Sequence, residues 1–126
     1  MAKKITSTAL DKLLNYIADN GATMHICAGE PVDLADVGTK SLGSVSMTVG
    51  AGKGDYTLSD ITNGRRLSIA AKSVNVTADG TADHVAIVSA TELLVVTTLT
   101  QARAVLNGDT VNLQGWNIDL TYNSAA

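Results

Sequence analysis

One cysteine in 126 residues rules out an intramolecular disulfide and the stapled secreted scaffolds, while 45% hydrophobic content lets the chain bury one core of ordinary size. Nine Lys and Arg against twelve Asp and Glu leave a net charge of −3. The adjacent basic pairs, Lys3-Lys4 and Arg65-Arg66, have no aromatic platform beside them, which disfavours nucleic-acid binding.

No run approaches the roughly 18 apolar residues of a membrane helix. Met1-Ala2-Lys3-Lys4 leads into Thr, Ser and Asp rather than an apolar stretch, so the expectation is a protein without a signal peptide, made and kept in a cytoplasm. Phe is absent, aromatics make up 3%, and the eleven Gly residues stand among many Thr, Ser and Asn. Such a composition favours short strands and many turns.

Leu10, Leu13, Leu14 and Ile17 recur at helical spacing, with Thr8 placed to cap, Asp11 in the first turn and Asn20-Gly21 as the stop. That apolar stripe must be covered by the domain's own sheet or by a neighbouring subunit. Thr23 to Ala28 then alternates, Met24 and Ile26 opposite Thr23, His25 and Cys27, as a strand does. Gly29-Glu30-Pro31 ends it. Residues 32–42 carry few apolar anchors and predict a long surface loop of the kind used for contacts.

Val45, Met47 and Val49 predict a half-buried strand, and the glycine-rich run Gly50 to Asp55 predicts a mobile turn. That run lacks the spacing of a phosphate-binding loop, having Met47 and Gly54 where such a loop needs Gly and Ser or Thr. After a short strand at Tyr56 to Asp60 and a turn at Asn63-Gly64, Leu67, Ile69 and Ala71 lie in one parity and Val74 and Val76 in the other. A parity switch near Lys72-Ser73 implies a bulge or a corner between sheets.

The chain is organised on His84 to Thr100, which predicts two aliphatic strands, Val85 to Ser89 and Leu93 to Leu99, around the break Ala90-Thr91-Glu92. With β-branched content and no proline, both fit the centre of a sheet, and the doubly apolar start of the second predicts cover on two sides. Ala102 to Leu106 is ambiguous between strand and helical turn. Trp116, Ile118, Leu120 and Tyr122 alternate with Asn117, Asp119, Thr121 and Asn123 in the clearest strand of all.

Chemistry-bearing residues are sparse. His25, Cys27 and His84, with Asp33 or Asp36, form at most a partial metal set, and Cys27, His84 and Asp83 are the right types for nucleophilic catalysis at a spacing that carries no information. Carboxylates at Asp33, Asp36, Asp79 and Asp83 read as turn residues. Trp116, Tyr122 and Tyr56 are a conceivable sugar platform, with core filling as the ordinary role of a lone Trp. We therefore expect no catalytic residues, no metal site and no cofactor. The expected architecture is mostly β, a β-sandwich or jelly-roll-like barrel with one N-terminal α-helix: residues 1–22 an arm and helix, 23–126 a single β domain.

Asp83-His84-Val85, Val95 to Thr100, Asn107 to Val111 and Trp116 to Leu120, in that order, resemble small structural proteins encoded among the head genes of tailed bacteriophages and prophages. The resemblance covers mainly residues 82–122, more weakly the helix Leu10 to Ile17, and consists of packing motifs. It implies a capsid decoration, or cement, protein on the outer surface of the virion head, partnered by the major capsid protein and by itself as a homodimer or homotrimer. A tail or head-tail junction protein is the alternative, and a glycan-binding module the alternative of another class. Leu10, Leu13, Leu14, Ile17, Leu34 and Val37 are the expected subunit or capsid contacts.

Overall fold

The computed structural model describes residues 6–121. Helix α1 (Ser7–Asn20) is capped by Thr6, whose extended backbone lets its hydroxyl accept the Ala9 N–H at 3.3 Å. The cap lies two residues ahead of the expected Thr8, because residues from Ser7 onward already form the first turn. Gly21 closes the helix by donating its N–H to the Ile17 carbonyl at 2.7 Å. Leu10, Leu14 and Ala18 form the buried stripe of α1. Each leucine contributes about 1.5–3 kcal/mol by leaving water.

Strands follow in the order β1 (Thr23–Cys27), then helix α2 (Leu34–Lys40), β2 (Ser41–Ser46), β3 (Tyr56–Ile61), β4 (Gly64–Ile69), β5 (Lys72–Val76), β6 (Gly80–Val88), β7 (Leu93–Val105), β8 (Thr110–Leu113) and β9 (Trp116–Thr121). They make a six-stranded sheet, ordered β7-β6-β1-β2-β5-β8, and a three-stranded sheet, β3-β4-β9, with every strand pair antiparallel. The core lies between them: Met24, Ile26, Val74, Val85 and Ile87 from the large sheet meet Tyr56, Leu67 and Ile69 from the small one, with Leu14 and Ala18 of α1 beside them. The mostly β architecture with an N-terminal helix is therefore as expected. The parity switch is the corner itself, where the chain leaves the small sheet after Ile69 and enters the large sheet at Lys72.

Three local expectations give way. Residues 32–42 are not a bare loop but hold α2, started by the Asp33 carboxylate accepting the Asp36 N–H at 2.8 Å and tied by Lys40 to Asp36 at 2.8 Å. The turn after β3 is Thr62-Asn63, with Asn63 at φ 57, while Gly64 already pairs with Thr121. Most consequentially, β7 is the edge of its sheet rather than a central strand, and it runs through the ambiguous stretch as far as Val105.

Two irregularities shape that edge. Between Val88↔Leu93 and Ile87↔Val95 one extra residue, Leu94, bulges, so Leu93 and Val96 face α2 while Leu94 and Val95 face the main core. Both faces of this half are covered, as its doubly apolar pattern demands. Farther on, Ala82↔Arg103 and His84↔Thr98 leave Leu99 to Ala102 opposite Asp83 alone. There β7 swings away from its partner, and every residue from Thr100 to Ala104 is exposed.

Candidate functional site

The face of the large sheet beneath α2 gathers the residues a reactive site would need. Cys27 lies directly across from His84 in the β1–β6 ladder, and His25 stands two residues away on the same face. Asp83 accepts the Gly29 N–H at 2.7 Å and lies 2.8 Å from His84 Nδ1. The His84 hydrogen bond first, and the Gly29 N–H second, hold the Asp83 carboxyl below the usual carboxylate range. Topology thus does bring Cys27, His84 and Asp83 together.

Their environment assigns Cys27 to packing. It is fully buried against Val37, Ala86 and Val88, and burial, reinforced by the nearby Asp83 charge, pushes its thiol up to about 11. Nucleophilic attack and metal ligation both use the thiolate, so a thiol in this state is suited to neither at neutral pH. His25 is half-buried, its Nδ1 2.8 Å from Ser41 Oγ, and burial lowers its pKa. Asp33 caps α2 and Asp36 is engaged by Lys40 and by the Val32 N–H at 2.9 Å. Among the described residues, no three of His, Cys, Asp and Glu are placed to hold a metal ion.

The expected contact residues divide. Leu10, Leu14 and Val37, at 2%, 0% and 1% exposure, are enclosed by their own chain and present nothing to a partner; Ile17 and Leu34 are half-buried. Leu13, at 58%, is the one member of the set that stands free, next to the exposed ring of Tyr16, which hydrogen-bonds Glu92. The stripe at i, i+3, i+4 and i+7 is wider than the groove that receives it, so its flank faces outward.

The second gathering lies at the other end of the large sheet. Its edge strands β7 and β8 both line one cleft of about 630 Å³, so the sheet curls far enough to bring its two ends face to face. The strand β9 enters the three-stranded sheet beside this gap, and its first residue, Trp116, forms part of the wall. Trp116 pairs with Ile69 and packs its ring on the core, while its Nε1 is shut off from solvent without a hydrogen-bond partner among the described residues. Of the described lining residues Arg103 alone is charged, and Gln101, Asn112, Gln114 and Asn117 contribute carboxamides.

Tyr56, the other aromatic of the expected platform, is fully buried, its hydroxyl donating to the Gly21 carbonyl at 2.7 Å. Tyr122 lies outside the described residues. The basic pair Arg65-Arg66 is taken up by carboxylates: Arg65 holds Asp11 at 2.6 Å and Asp60 at 2.5 Å, fastening α1 to β4, and Arg66 grips Asp119 with two bonds of 2.7 and 3.0 Å. No helix among the described residues is long and apolar enough to cross a membrane.

Comparison with family models, with characterised proteins and with solved structures finds no match to this chain.

Proposed function

We propose that this chain is a virion structural protein, a capsid decoration protein that binds the outside of a phage head through protein–protein contacts and strengthens it. One observation carries the reading beyond the resemblance of its motifs. β7 is 13 residues long, lies at a sheet edge, contains neither Pro nor Lys, and has Arg103 as its one charge. A row of unpaired backbone donors and acceptors is an aggregation hazard, which proteins blunt with short strands, lysines, prolines, bulges or a covering element. Bulges at Leu94 and at Leu99 to Ala102 break the row, and the regular stretch left between them, Val95 to Thr98, is suited to being covered in the working assembly. That stretch is where a neighbouring strand from the major capsid protein or a second copy would pair.

Quantitative mass spectrometry of particles that contain the chain is the test. Copies on the order of hundreds, in proportion to the major capsid protein, are the expected result; a number matching one ring places it at a head-tail junction or in the tail instead. Exposed Thr98 and Thr100 offer a variant, Thr98→Lys with Thr100→Lys, that charges the edge while changing stability by no more than about 0.5 kcal/mol. Its occupancy on particles falls, and full occupancy with unchanged heat resistance refutes docking through β7.

A further inference from the structure

We propose that the cleft between β7 and the β8–β9 connection binds a short uncharged oligosaccharide, a function independent of where on a particle the chain sits. Three observations converge. The volume of about 630 Å³ falls in the span of small-ligand sites. Trp116 walls the cleft and brings the broad apolar surface of an indole to it. The surrounding Gln101, Gln114 and Asn117 each donate and accept, as sugar hydroxyls do, while Leu99 and Leu113 match the apolar C–H face of a pyranose ring.

An extended peptide fits the same place less well. Strand addition needs a continuous ladder, and β7 is interrupted along this stretch, where Leu99 to Ala102 bulge opposite Asp83. The bulge disperses its main-chain donors and acceptors around a concavity, which suits a compact polyol. The absence of a carboxylate among the described lining residues, with Arg103 as the one charge, disfavours a cationic ligand.

Trp116 is the only tryptophan of the chain, so its emission reports occupancy directly. Maltotriose, cellotriose and chitotriose are titrated separately into the purified full chain, to about 10 mM, the scale at which a weak site of about −4 kcal/mol saturates. At least one is expected to give a saturable change in intensity or wavelength. The exposed pair Gln101→Ala with Gln114→Ala, and separately Asn117→Ala, should weaken that response at least tenfold while leaving the thermal melt unchanged. Trp116→Phe, read by calorimetry, should also weaken binding. Silence with all three sugars, undiminished response in the folded amide variants, or a response only to the extended peptide Thr-Val-Thr-Val-Thr overturns the proposal. None of these results changes the expected copy number on particles.

Discussion

Gly21 sits where α1 turns into β1, and replacing it with alanine tests the packing of the helix on both sheets at once. Its φ of −75 is open to any residue, so the cost is steric and not conformational. A Cβ there would lie 2.5 Å from the Tyr56 hydroxyl, 2.7 Å from Ile87 Cγ2 and 2.8 Å from the Ile17 carbonyl oxygen, against about 3.5–4.0 Å for comfortable contact. The carbonyl belongs to the closing turn of α1, so relief comes chiefly by pushing Tyr56 away and losing its hydrogen bond to Gly21. Overpacking of about 1–3 kcal/mol, offset by about 0.4–1 kcal/mol of unfolded-chain entropy and increased by about 1 kcal/mol for the bond, gives a net loss near 2 kcal/mol. At about 2.1 cal/mol/K per residue over 126 residues, the melting temperature falls by about 7–8 °C.

Tyr56→Phe alone should cost about 1–1.5 kcal/mol, since the Gly21 carbonyl loses a buried donor. Combined with Gly21→Ala, the missing hydroxyl removes the closest collision and a bond already broken. The double variant should then be about 1 kcal/mol more stable than the two single losses added together. Urea melts with equal m-values give the three numbers. Additivity within about 0.3 kcal/mol refutes the account, for it would mean that Gly21 and Tyr56 do not compete for the same space.

Cys27 in the native protein should react with a thiol-disulfide reagent at pH 8 only as fast as the chain opens, because its thiol is enclosed and pushed up to about 11. Cys27→Ser should destabilise more than Cys27→Ala, by about 1 kcal/mol or more, as the apolar pocket of Val37, Ala86 and Val88 supplies the hydroxyl no partner. A fast thiol, or a milder serine, contradicts the packing role. For His25, burial lowers the folded pKa beneath the unfolded value of about 6.5, so the unfolded chain binds more protons between the two. Its contribution is full above pH 6.5 and is lost as pH falls toward the folded value; His25→Asn should therefore flatten that part of the stability profile measured by urea melts, and an unchanged slope refutes it.

Local alternation made much of the body legible. Met24 and Ile26, Leu67 and Ile69, and Val74 and Val76 each lie in the core at the parity their spacing gives, since a period of two depends on the strand itself. α2 left a fainter trace. Gly38 interrupts it and Val37 is its one buried residue, yet Asp33 with Asp36 three residues on is a helix-start pattern that the polar composition obscured. What no window could show was which strand would be outermost: Leu93 to Leu99 has the content of a central strand, but edge position depends on what the rest of the chain leaves beside it.

The same run explains why the cleft was hidden. From Thr97 to Ala104, TTLTQARA, the strand loses its apolar period, and in a covered strand that lapse would bury polar groups at a cost of about 1–3 kcal/mol each. Such a sequence tolerates being strand only at an edge and, where it bulges at Leu99 to Ala102, only beside open space. The space becomes a cleft because the curl of the sheet brings residues 111–117 opposite it, a long-range closure absent from either segment alone. The two halves of β7 thus have different surroundings, with Leu93 to Val96 packed on both faces and Thr100 to Ala104 exposed. A substitution at Leu93 to Val96 lies outside the cleft lining and should leave sugar binding by Gln101 unchanged. Thr98→Lys with Thr100→Lys alters the wall of the cleft as well as the edge, so only the first kind separates docking from sugar binding within a single strand.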